Sequence, residues 1–105
     1  MLSACAGVPF DHPKRASTAV PVDAETPLGA IELQWSRQHG DLSGILGLPD
    51  GMEALGARLS LMAAAQRSID AQYFIIKKDR AGALFAGKLL LAADRGVRVR
   101  LLVDD

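Results

Sequence analysis

The run from Ser68 to Asp105, SIDAQYFIIKKDRAGALFAGKLLLAADRGVRVRLLVDD, constrains the chain more than any other stretch. Ile69 to Ile76 is rich in β-branched and aromatic residues and is too short and too apolar for a surface helix, which predicts a strand over 69–76. Lys77–Lys78–Asp79 breaks it, and the Asp79 carboxylate is suited to cap a helix by accepting from backbone N–H groups two or three residues on. Ala81 to Asp94 is dense in alanine and leucine, the strongest helix formers. Arg95 suits the negative end of the helix dipole, and Gly96 suits the left-handed position that ends a helix. Val97, Val99, Leu101 and Val103 then resume period two, which predicts a second strand over 97–103. Strand, helix and strand at this spacing form a βαβ unit, with parallel strands and a right-handed crossover. The fold class expected is therefore α/β.

In open α/β sheets, ligand sites lie beyond the carboxyl ends of the strands. The second strand runs into Asp104–Asp105, so carboxylates stand where a site would begin. A parallel pair is normally buried on both faces. The chain is thus expected to need further sequence, or a partner, to complete its sheet, and to expose an apolar sheet face by itself.

The 105 residues suffice for one small domain. Lysine plus arginine equal aspartate plus glutamate at twelve each, and the signs are interspersed. No global field therefore favours nucleic acid, and no nucleic-acid partner is expected. No apolar run is long enough for a transmembrane helix. The single cysteine, Cys5, has no internal disulfide partner.

Upstream of the βαβ unit the chain divides into a tether, 1–25, and a domain portion, 26–105. Ala6 to Glu25 carries Pro9, Pro13 and Pro21 among small and polar residues and reads as an extended linker. Thr26 and Pro27 predict a helix start and Gly40 its end, with Leu28, Ile31 and Trp35 as its apolar face. Ile45–Leu46–Gly47–Leu48 reads as a short strand before the turn Pro49–Asp50–Gly51. Asp50 caps a second helix over 51–66, with Leu55, Leu59 and Met62 down one face.

Leu2–Ser3–Ala4–Cys5 resembles the lipobox of bacterial lipoprotein precursors, in which the cysteine sulfur accepts the lipid. A signal peptide needs a basic region and an apolar region before the cleavage site, and only four residues precede Cys5. Two readings stay open: a start further upstream, or a stray cysteine in a terminus.

The last sixty residues or so resemble the first part of a phospholipase D superfamily domain of the bacterial cardiolipin synthase type. The resemblance rests on Asp50, Gly51, Glu53 and Ala54 at a helix start, on Ser68, Ile69, Asp70, Gln72 and Tyr73, on Asp79 and Gly82, and on the run Ala92 to Asp105. It implies a partial phospholipase D-like domain whose complete form transfers phosphodiesters of phospholipid substrates at a membrane. Such enzymes use two HxKxxxxD motifs. One histidine attacks phosphorus, the other protonates the leaving alcohol, and the lysines hold the phosphate oxygens, with no metal or other cofactor. With the lipobox-like Cys5 and the tether, the resemblance implies a lipoprotein of the bacterial cell envelope, facing the periplasm.

No HxKxxxxD motif occurs in these residues. His12–Pro13–Lys14 is HxK, but Ala19 stands where the aspartate belongs, and His39 is followed two residues on by Asp41. No catalytic residue is assigned, and the chain alone is expected to be inactive. Asp70, Gln72, Asp104 and Asp105 are the residues expected either to support a neighbouring active site or to serve structure alone. Arg98 and Arg100 alternate with the core valines and read as a solvated or ion-paired face. Competing readings are a phospholipase D-like hydrolase or nuclease fragment, and a non-catalytic α/β interaction module or remnant.

Overall fold

A computed structural model describes Pro13 and residues 15–104. Its elements are α1 (Pro27–His39), α2 (Gly51–Ala64), β1 (Ser68–Tyr73), α3 (Arg80–Asp94) and β2 (Arg98–Val103). The fold is mixed α/β. β1 and β2 pair in parallel across the α3 crossover, and among the described residues they are the whole sheet.

Side-chain chemistry starts each helix where the sequence predicts. The Thr26 hydroxyl accepts from Gly29 N and donates to Asp23 O, so it both caps α1 and fixes the turn before it. Asp50 accepts from Met52 N and Glu53 N at 2.9 and 3.0 Å. Asp79 accepts from Gly82 N at 2.8 Å. Each cap satisfies N–H groups that the helix itself leaves open. At the other end of α3, Gly96 has φ +87°, a backbone conformation that L side chains rarely adopt.

Both α2 and α3 lie on one face of the sheet. Met62 of α2 meets Phe85 and Leu89 of α3, with Ile69, Ala71, Tyr73 and Val99 packed against them. A second cluster, Ala65, Ala92 and Val97, seals the amino end of the strands. The Tyr73 and Phe85 rings lie 4.5 Å apart and tilted, a favourable aromatic geometry.

Five expectations need correction. The first strand ends at Tyr73 instead of Ile76: Tyr73 faces Val103, the last residue of β2, in register. The second strand starts at Arg98, with Val97 buried just ahead of it. Residues 45–48 form no strand, and Ile45 and Leu46 are almost wholly exposed. In α1 the buried residue is Gly29, whereas Ile31 and Trp35 face outward; Gly29 lies so close to Asp23 O that a side chain has no room. Finally, the sheet face turned away from the helices is mostly polar: Ser68 opposes Arg98, Asp70 opposes Arg100, and only Leu102, opposite Gln72, is apolar. Most apolar exposure sits elsewhere: in the 42–48 loop, on α1 and the start of α2, at the carboxyl ends of the strands and on α3.

Candidate functional site

Parallel strands deliver their carboxyl ends to one rim, and two depressions open there. One, of about 310 Å³, is lined by Gln72, Tyr73, Phe74, Leu102, Val103 and Asp104. The other, of about 290 Å³, lies between α2, the end of β1 and the start of α3, and includes Leu55, Arg58, Ile76, Lys77 and Phe85. Tyr73 lines both. The Arg58 guanidinium lies 5.9 Å from the Tyr73 ring centroid, within reach of a cation–π contact. Phe74 and Ile75 stand exposed at the lip.

The turn into α3 is tight. A Cβ on Gly82 would meet Lys77 O at 2.0 Å, so the absence of a side chain lets the Lys77 backbone fold against the helix start. That approach places Lys77, like Arg58, in the lining of the second depression. The rim therefore offers two cations, an aromatic face and apolar walls. No histidine or cysteine among the described residues lines either depression. The arrangement can bind or support; it holds no nucleophile of the phosphohistidine kind.

The structure brings Gln72 and Asp104 together at the rim. Asp104 also continues the ladder, its N–H donating to Tyr73 O at 3.1 Å. Asp70 lies away from the rim, on the polar sheet face. Arg100 grips it through both guanidinium arms, Nε to Oδ1 at 2.5 Å and Nη2 to Oδ2 at 2.6 Å. The hydrogen bonds from Arg100 hold the Asp70 carboxyl below the usual aspartate range, and the same bonds raise Arg100. Arg100 further donates to Ser17 O and Oγ, and Arg98 donates to Thr18 O at 2.8 Å, so the segment before α1 is strapped across this face. The Nε of Arg98 is buried without a partner among the described residues.

Cys5, Asp105, His12 and Lys14 lie outside the described residues. His39 ends α1, its Nδ1 3.0 Å from Trp35 O and its ring stacked on Trp35 at 3.7 Å. Arg58 is a rim residue that was not among those expected from the sequence. Its spacing carried a signal: it sits three residues after Leu55 and four before Met62, on the apolar face of α2. Among the described residues, no group of three or more His, Cys, Asp or Glu is placed to hold a metal ion, and no helix is long and apolar enough to cross a membrane.

Three curated proteins are similar to this chain in sequence. An uncharacterized protein of Helicobacter pylori (strain ATCC 700392 / 26695) is 36% identical over 101 residues, 96% of this chain and 20% of that protein. Cardiolipin synthase C of Escherichia coli (strain K12) is 41% identical over 78 residues, 74% of this chain and 16% of that protein. An uncharacterized protein of Helicobacter pylori (strain J99 / ATCC 700824) is 39% identical over 80 residues, 76% of this chain and 16% of that protein. The chain thus spans a fifth or less of the length of the curated relatives it matches. No family model matches it, and no solved structure matches it. A likeness to part of a cardiolipin synthase is as far as the sequence similarity reaches.

Proposed function

We propose that this chain is framework from the N-terminal portion of a phospholipase D-like phosphatidyltransferase, of the cardiolipin synthase kind, that acts on phospholipid phosphodiesters. The observation that carries this is the 41% identity to cardiolipin synthase C over three-quarters of the chain. The βαβ unit supports it by presenting an open, cation-lined rim at the carboxyl ends of its strands. In this reading the attacking and protonating histidines come from HxKxxxxD motifs that these 105 residues do not contain. The role left for the rim is to position: Gln72 and Asp104 steady basic groups from neighbouring sequence, and Tyr73 and Arg58 form the floor behind them. Cys5 is the lipid attachment site that holds the protein to the cell envelope.

A chimera tests the framework role. This chain replaces the matched segment of the Escherichia coli enzyme, and phosphatidyl transfer is assayed on the purified product. Transfer activity is expected. A chimera that melts cooperatively like the parent yet transfers nothing would overturn the assignment. The chain by itself is expected to be inactive, and phosphodiesterase activity lost on His12→Ala would equally contradict a purely supporting role.

A further inference from the structure

The outer side of α3 is composed like an interface. With 100° per residue, Arg80, Leu84, Gly87, Leu91 and Asp94 follow the 4-3-4-3 spacing of a helix–helix seam, and Leu90 lies beside it. This stripe points away from Phe85, Leu89 and Ala92, which face the core. Charged residues belong on that side of a solvated helix. Instead Leu84, Leu90 and Leu91 stand 51%, 68% and 54% exposed, and Leu84 and Leu91 line a shallow, mostly apolar depression of about 500 Å³ with Lys88 at its edge.

The two end charges are also on the wrong ends for the helix by itself. Arg80 opens α3 and Asp94 closes it, whereas the helix dipole favours an anion first and a cation last. Neither has an ion-pair partner among the described residues.

A second copy resolves both oddities. Place two α3 helices antiparallel about a twofold axis at Gly87. Position 80 then faces 94, 84 lies beside 91, 83 lies across the seam from 91, and 87 faces itself. Arg80 meets Asp94 of the second copy, twice by symmetry. Leu84 meets Leu91 of the second copy on one side of the seam, twice by symmetry, and the small Ala83 leaves room on the other. The two Gly87 backbones can approach closely, since nothing within 4 Å fills the space where a Cβ would be. Each contact is complementary in charge or in size, and an isologous interface requires that of one patch matched to itself.

We propose that α3 pairs with α3 of a second copy of this chain, antiparallel and centred on Gly87. The inference is independent of the enzymatic reading above. One helix pair buries less than the ~1,200 Å² of a standard interface, so the association is weak.

Sedimentation equilibrium of the full chain from about 10 µM to 1 mM tests it, since that range spans weak association. The average mass is expected to rise from 11.1 kDa towards twice that value. Arg80→Glu and Asp94→Arg should each weaken association at least about tenfold, and the double variant should restore it. Both reversals place charges where the helix dipole favours them, so helix loss cannot explain the single-variant result. Circular dichroism of each variant checks this directly. Gly87→Leu should also weaken association by holding the helices apart. A chain monomeric at the highest concentration overturns the proposal. So does a dimer indifferent to the single reversals, or one that the double reversal fails to restore.

Discussion

Arg100 does the work of two residues because its guanidinium is a planar fork with donors on several sides. One edge meets Asp70 on the neighbouring strand, directly opposite in register, and the remaining Nη1 reaches Ser17. A lysine could hold one of these partners but not both in a fixed plane. The pair is part exposed, each side chain retaining more than a third of its accessible surface, so solvent screens it and its contribution to stability is small. Its pH signature is nevertheless definite. The folded Asp70 carboxyl lies below its unfolded value, so its contribution is present above the unfolded value, about 3.9, and disappears as pH falls through the folded one. Asp70→Asn should therefore lower the melting temperature at neutral pH, and the two proteins should converge under acid conditions. Parallel melting curves from pH 7 to pH 2 would check it; a gap that persists unchanged at the acid end would rule out this pair as its source.

At the scale of elements, α3 is held at both ends by single residues. Gly82 leaves room for the Lys77 carbonyl at its start. At its end Arg95 turns back over α2, donating through Nη2 to Met62 O at 3.0 Å and lying 3.4 Å from Ala65 O. These are carbonyls that the last turn of α2 leaves open, so one guanidinium closes one helix and ties it to the next. Gly82→Ala should cost roughly 1–3 kcal/mol, as expected when a well-packed contact is overfilled. Arg95→Ala should cost roughly 1–2 kcal/mol, and Arg95→Lys should recover only part of it, because the ammonium cannot reproduce the fork. Urea denaturation midpoints at constant slope measure all three. The caps at Thr26, Asp50 and Asp79 and the stop at Gly96 were legible in the sequence, because each acts on backbone within a few residues. The clamp by Arg95 and the pairing of Asp70 with Arg100 were not, because both depend on the packing of elements some thirty residues apart. Arg58 shows the middle case: its place on the apolar face of α2 was readable, but the Tyr73 ring beneath it was known only once β1 and α2 were packed.

Across the whole molecule, stability is distributed unevenly. The βαβ unit and α2 share the buried clusters of Met62, Phe85 and Leu89 and of Ala65, Ala92 and Val97. α1 contributes no side chain to either. It buries only Gly29, against the turn that precedes it; that turn is joined to the residue before β1 by the surface Asp23–Arg67 ion pair at 3.1 Å, and the segment ahead of it is held to β2 by the hydrogen bonds of Arg98 and Arg100 to Thr18 and Ser17. A surface pair of this kind is worth at most about 1 kcal/mol. A helix of thirteen residues is marginal in water without tertiary packing. The Trp35–His39 stack, one turn apart, adds local support but no tie to the core. The free energy of opening α1 should therefore fall well below that of global unfolding, while the amides of α3 and of the β1–β2 ladder exchange only when the core opens. Hydrogen exchange followed by mass spectrometry should show 27–39 exchanging first, with Arg67→Ala accelerating that segment and leaving 80–94 and 98–103 unchanged. Equal protection of α1 and α3 would mean that α1 is anchored more firmly than one buried glycine, one surface ion pair and the strap at Ser17 and Thr18 can explain.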